Sequence, residues 1–125
     1  MNFRSATLAF STLVVTAPAF AAQTATYEQV ADGLAKESIV LVDIREPDEF
    51  VSGHVPGAIN LPLSKLTPAA LPKPDGKTVV IMCRSGNRSG KLAQMLPAVG
   101  RADIADYSGS MIDWTRRGGT IVKGQ

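Results

Sequence analysis

Two rhythms of apolar residues divide the chain. Ile39-Val40-Leu41-Val42 and Val79-Val80-Ile81-Met82, the latter introduced by Thr78, are unbroken apolar runs of strand length, rich in β-branched residues. Runs of this kind predict strands covered on both faces, as in a parallel sheet. Elsewhere the spacing is helical. Tyr27, Val30, Ala31 and Leu34 follow Thr26 and Gln29, which form a capping-box pair, and Leu92, Ala93, Met95 and Leu96 share one side of a helix over Ser89–Leu96 that Pro97 or Gly100 ends. Pro47 suits the first position of a short helix reaching Phe50 and stopped by Gly53. Weaker signals complete the order: a strand Ala58–Leu61 closed by Pro62, a turn Lys73–Gly76, a strand Ile104–Tyr107, a short helix Met111–Arg117, and a terminal strand or tail Thr120–Val122. Strands alternating with helices predict a single α/β domain: a central, mostly parallel sheet of about five strands with helices on both faces.

The N-terminal segment obeys neither rhythm. A short basic stretch, Met1–Arg4, precedes a mostly apolar run, Ala6–Pro18, which Ser11, Thr12 and Thr16 interrupt and which is too short to span a bilayer. Ala19-Phe20-Ala21 then fits an A-x-A cleavage site. Residues 1–21 are expected to be a secretory signal peptide removed after Ala21, leaving residues 22–125 as the folded domain, exported to the periplasm. No cysteine follows the cleavage site to carry a lipid, and no later run could cross a membrane, so no stable membrane anchor is expected.

Composition narrows the function. The 125 residues hold 13 basic and 11 acidic side chains, one cysteine and one histidine. An internal disulfide is impossible, and one cysteine with one histidine cannot supply a structural zinc site, so neither metal nor cofactor is expected. Loss of Arg4 with the leader leaves 12 basic against 11 acidic groups, too even a balance to attract nucleic acid. Without an obvious apolar stripe, a monomer is expected. The lone cysteine is the anomaly, because export normally means an oxidising compartment in which cysteines pair.

Cys83 closes the second apolar run and opens Arg84-Ser85-Gly86-Asn87-Arg88-Ser89, directly before a helix. Ligands of parallel sheets sit at the carboxyl ends of the strands. A loop of small residues entering a helix N-terminus can direct several N–H groups at one anion, and two arginines flank it here. Such surroundings lower a thiol pKa from about 8.5 by one to several units, and each unit is worth about 1.4 kcal/mol in favour of the charged sulfur. An inert buried cysteine would not be followed by six polar or small residues. For Arg84 and Arg88, solvated surface charge remains open beside anion binding, and Ser85, Gly86 and Ser89 also suit ordinary turn and capping chemistry.

Three stretches, in order, resemble the rhodanese-like sulfurtransferases. Asp43-Ile44-Arg45-Glu46 with Glu49-Phe50 and Gly53–Asn60 is similar to the family's N-terminal signature, Cys83–Ser89 to its active-site loop, and Tyr107-Ser108-Gly109-Ser110 through Trp114, Gly118 and Val122 to its C-terminal signature. Ser110 departs from a position where the family more often has a second glycine. With the export signal, the whole resembles single-domain periplasmic, phage-shock-type members. The resemblance implies a rhodanese-like domain in which thiolate Cys83 takes the outer sulfur of thiosulfate, releases sulfite, and passes the sulfur from a persulfide to a nucleophilic acceptor, cyanide in the assay or a thiol physiologically. Arg84, Ser85, Gly86, Asn87, Arg88 and Ser89 would bind substrate, with Arg88, the loop-closing position, ranked above Arg84. His54 is expected to be structural and hydrogen-bonded to backbone, Asp43 and Arg45 to form an ion pair, and Arg116 and Arg117 to be a solvated helix end. Two alternatives stand beside this: a non-catalytic or partner-fed persulfide carrier, and a phosphatase or arsenate reductase. The four residues between Cys83 and Arg88, where phosphatase-type loops have five, disfavour the last.

Overall fold

A computed structural model describes residues 23–125 together with positions 7, 9, 11 and 12; the expected signal peptide and its cleavage site otherwise lie outside the described residues. In chain order the elements are β1 (Gln23–Thr24), α1 (Tyr27–Ala35), β2 (Ile39–Asp43), α2 (Pro47–Ser52), β3 (Ile59–Asn60), β4 (Thr78–Met82), α3 (Asn87–Met95), β5 (Ala105–Asp106) and α4 (Ser110–Arg116), with 3₁₀ turns at Leu63–Lys65, Pro68–Ala70 and Leu96–Val99. The five strands form one sheet in the order β1-β5-β4-β2-β3, every pairing parallel.

The apolar runs lack alternation because both faces are covered. Leu41, Val80, Met82, Ala105 and Tyr107 point to one side, where Val30 of α1 and Met111 and Trp114 of α4 close over them. Val42, Val79, Ile81, Cys83 and Ile104 point to the other, against Ala93 of α3, Leu96 and Leu71. Complete burial of a Val, Leu or Ile side chain contributes about 1.5–3 kcal/mol, so β2 and β4 anchor the domain through residues on both faces.

Helix starts follow local chemistry. Thr26 and Gln29 exchange the two capping-box hydrogen bonds expected of them, at 3.2 and 2.9 Å. Pro47 opens α2 and Gly53 ends it. Helix α3 begins at Asn87, two residues before the predicted start, because left-handed Gly86 turns the chain and accepts the Gly90 N–H, so half of the polar loop already belongs to the helix. β1 had no sequence signal: Gln23 and Thr24 are exposed polar residues attached as an edge to β5 by backbone pairing alone. At the other end, residues 120–122 supply a single antiparallel bridge, Val122 to His54, rather than a strand.

Two polar groups inside the frame behave as expected. Arg45 grips Asp43 through Nε and Nη2, the latter at 2.7 Å, and also donates to the Gly53 carbonyl at 2.8 Å, both residues being buried. His54 places Nδ1 2.9 Å from the Phe50 carbonyl and stacks on the Phe50 ring, so it is built into the frame. Among the described residues no helix is long and apolar enough to cross a membrane.

Removing one member of a buried pair leaves the other charge uncompensated, at a cost of about 3–5 kcal/mol, whereas an exposed pair contributes about 0–1 kcal/mol. Asp43→Ala should therefore lower the urea midpoint sharply, while Lys36→Ala, which breaks the exposed Asp32–Lys36 pair, leaves it nearly unchanged.

Candidate active site

β4 carries Cys83 to the carboxyl edge of the sheet, in the middle of the strand order, where the chain turns back through Gly86 into α3. The turn demands glycine twice over. Its φ is +89°, and a side chain there would collide with the Ser108 carbonyl of the neighbouring loop. That close approach locks the Cys83 loop against the segment leading into α4. The Met111 and Ile112 amides donate to the Cys83 and Arg84 carbonyls at 3.2 and 3.0 Å.

Cys83 is 1 % exposed, and its sulfur sits inside a ring of polar groups. Gly86 N–H lies 3.1 Å from Sγ, Ser89 N–H and Ser89 Oγ both 3.5 Å, and Ser110 Oγ 3.9 Å. Burial by itself pushes the thiol pKa up; the Ser89 hydroxyl, the Ser89 and Gly86 amides and the Ser110 hydroxyl together outweigh it and hold the thiol below its ordinary value. The arrangement stabilises one anionic sulfur through fixed dipoles, and a sulfur bonded to it would inherit the same surroundings.

Most of the expected loop residues converge here, though not all in the expected role. Gly86 and Ser89 touch the sulfur. Ser85 and Asn87 are exposed at the rim. Arg88 is not left free for an anion: both its terminal nitrogens engage Glu49 on α2, at 2.7 and 3.0 Å. This bidentate pairing lowers the Glu49 pKa and raises that of Arg88, and it ties α3 to α2 across the mouth of the site. Arg84 is exposed, has no carboxylate within ion-pair distance among the described residues, and lines a groove with Arg45, Met111, Ile112, Thr115 and Arg116. Arg117 instead pairs with Asp113 and Glu28 and lies over the Tyr27 ring.

Ser110 is the contributor that sequence reasoning did not assign. It adopts φ +54°, the left-handed conformation a glycine would take easily, and so preserves the loop. Its hydroxyl accepts the Cys83 N–H at 3.0 Å and donates to the Tyr107 carbonyl at 2.8 Å, fully buried. The departure from glycine was itself the signal, since a hydroxyl in that position needs partners.

Comparison with known proteins agrees with the fold. The Rhodanese-like domain family model matches residues 26–117. The chain belongs to the rhodanese-like domain family. A thiosulfate:glutathione sulfurtransferase of Saccharomyces cerevisiae is 35% identical over 95 residues, 66% of this chain and 68% of the yeast protein. An Allochromatium vinosum sulfurtransferase is 37% identical over 86 residues, covering 69% of this chain and 80% of its own. A cyanobacterial protein of Synechocystis, with no assigned activity, is 43% identical over 88 residues; the match covers 70% of this chain but about half, 49%, of that relative. Among solved structures, the human single-domain sulfurtransferase superimposes with a TM-score of 0.67 at 26% identity, covering 79% of this chain and 100% of that one. This rhodanese-like domain thus shares its fold with the human single-domain sulfurtransferase.

Removing the Ser110 hydroxyl takes a polar neighbour from the sulfur and an acceptor from the Cys83 amide, the latter worth about 1–3 kcal/mol when buried and unmet. Ser110→Ala should unfold at lower denaturant, and because the Ser110 hydroxyl helps to lower the Cys83 pKa, the pH midpoint for alkylation of Cys83 by iodoacetamide should rise.

Proposed function

We propose that this rhodanese-like domain is a thiosulfate sulfurtransferase that holds the transferred sulfur as a persulfide on Cys83. The Gly86 and Ser89 N–H donors, with the Ser89 and Ser110 hydroxyls beside Sγ, carry the reading. They suit a nucleophile that is anionic before attack and bears an anionic sulfur afterwards. Thiolate Cys83 attacks the outer sulfur of thiosulfate; the new S–S bond forms as the bond to sulfite breaks, and sulfite departs with the electron pair. A nucleophilic acceptor then attacks the outer persulfide sulfur and restores the Cys83 thiolate. The acceptor is cyanide in assay and a small thiol physiologically, a class consistent with the yeast relative's name.

Arg84 supplies the cation for the thiosulfate dianion, because it is uncommitted and adjoins Cys83. Arg88, with its charge shared with Glu49, braces the loop and adds a weaker field at the sulfur. The domain needs no histidine base, since the loop lowers the thiol pKa directly.

Incubation with thiosulfate should add the mass of one sulfur atom to the intact protein, and the adduct should be absent in Cys83→Ala. Arg84→Ala should raise KM for thiosulfate about tenfold, the effect of losing one charge-assisted contact of about 1.4 kcal/mol, with a smaller effect on kcat. Absence of both adduct and thiocyanate formation in the wild type would overturn the assignment. An adduct formed only from a partner protein's persulfide would establish a carrier, and turnover of an aryl phosphate lost in Cys83→Ser would establish a phosphatase.

We also infer that residues 1–21 direct export and are removed, on the strength of the basic start, the short apolar run and the Ala19-Phe20-Ala21 site. Expressed in a Gram-negative host, the protein should be recovered in the periplasmic fraction with Ala22 as its N-terminal residue. An intact leader on cytoplasmic protein would refute this.

A further inference from the structure

A second ionisable group lies behind the sulfur. Asp106 is in β5, paired with Ile81 of β4 two residues before Cys83, and is only 4 % exposed. Its position alternates with Ala105 and Tyr107, so it faces the same side of the sheet as Ile81, Cys83 and α3. Oδ1 is buried without any hydrogen-bond partner, and Oδ2 would lie 3.7 Å from a Cβ on Gly90, which places the carboxyl against the first turn of α3 beside Ser89. Few groups of opposite charge offset this burial. From α3, Arg88 is turned to Glu49 and Lys91 is exposed; from β4 the neighbour is Ile81; from β1, Gln23 and Thr24 are neutral and exposed. No ion pair to Asp106 occurs among the described residues.

Ser89, fully buried and next to Gly90 in the same turn, has its Oγ 3.5 Å from Cys83 Sγ and 3.5 Å from the Gly86 carbonyl, and its hydroxyl also acts on the Asp106 carboxyl. We propose that Asp106 is a positioning residue that holds the thiol proton: Cys83 and Asp106 share one proton through the Ser89 hydroxyl. The Cys83 S–H bond breaks as its proton passes to Ser89 Oγ, and the Ser89 O–H proton passes to an Asp106 carboxylate oxygen. A thiol and a carboxylate become a thiolate and a neutral carboxyl, with net charge unchanged. The neutral carboxyl donates to Ser89 Oγ, whose own hydrogen is then aimed at the anionic sulfur. An ionised Asp106 would instead draw the Ser89 hydrogen to itself and set a second negative charge behind Sγ. Burial raises the Asp106 pKa, and only the Ser89 hydroxyl opposes that rise, in keeping with a carboxyl that is readily protonated.

The inference rests on Cys83 as the nucleophile, but its test uses no sulfur donor, so it can fail while sulfur transfer stands, or survive if the donor is not thiosulfate. The experiment follows thiolate formation through the rate of Cys83 alkylation by iodoacetamide against pH in the full chain. Groups coupled by about one pK unit or more lose their protons in two macroscopic steps, so the wild-type profile should be broader than a one-proton curve. Asp106→Asn, which cannot ionise, should narrow it to one step at lower pH, with about tenfold more thiolate below the wild-type midpoint. In Ser89→Ala the same Asp106→Asn change should have little effect, because the bridge is gone. A one-proton wild-type profile that Asp106→Asn leaves in place overturns the proposal, as does an equal effect of Asp106→Asn with and without Ser89. A second measurement needs no change at Asp106: the NMR shift of its carboxyl carbon should titrate at lower pH in Cys83→Ser than in the wild type, and identical curves would also overturn it.

Discussion

An ionisable sulfur withdrawn from water must find elsewhere the polar contacts that hydration supplied, and the architecture around Cys83 follows from that requirement. Burial alone raises the thiol pKa; two amides and two hydroxyls reverse the outcome. These donors come from two distant parts of the chain. Gly86 and Ser89 arrive with the loop that continues β4, whereas Ser110 arrives with the loop after β5. The two loops can be packed together because Gly86 has no side chain to meet the Ser108 carbonyl.

That meeting depends in turn on the sheet. A parallel sheet brings the carboxyl ends of its strands to one edge, and with β4 flanked by β5 and β2 the loops after all three strands converge there. From β2 comes the Asp43–Arg45 pair, whose bidentate contact and bond to the Gly53 carbonyl hold the chain leading into α2. From α2 comes Glu49, which engages Arg88 and so steadies the first turn of α3. The polar groups at this edge form a sequence of supports leading from the core to the sulfur, each buried or half-buried member meeting a partner of opposite character. Asp106, with one oxygen unmet, is the member that breaks the pattern, and it stands one residue's reach from the site.

Much of this was legible along the chain because it is local. Unbroken apolar runs marked β2 and β4, a capping box marked α1, and a cysteine ending an apolar run before small and polar residues marked the turn from β4 into α3. His54 matched what the family resemblance implied for it, and Asp43 and Arg45 form the ion pair expected at the end of the first buried strand. The less legible features have physical reasons. β1 is two exposed polar residues held by main-chain pairing, so no side-chain pattern records it. The start of α3 was misplaced because a left-handed glycine admits a polar loop into a helix earlier than apolar periodicity does. Arg88 looked like a free cation because its partner lies 39 residues away, and proximity across such a separation leaves no trace in spacing.

By itself, then, the sequence determined the element types, the two-sided burial of the central strands and the place of Cys83 at the end of a buried strand, since each depends on neighbours within a few positions. Tertiary structure decided how charge is distributed around that sulfur. It committed Arg88 to Glu49, left Arg84 available, turned Ser110 from a departure into a hydrogen-bonding partner of Cys83, and buried Asp106 beside the first turn of α3. Those outcomes depend on which distant loops a parallel sheet brings to the same edge, and on burial, which gives a polar atom its energetic weight only once the chain has closed around it.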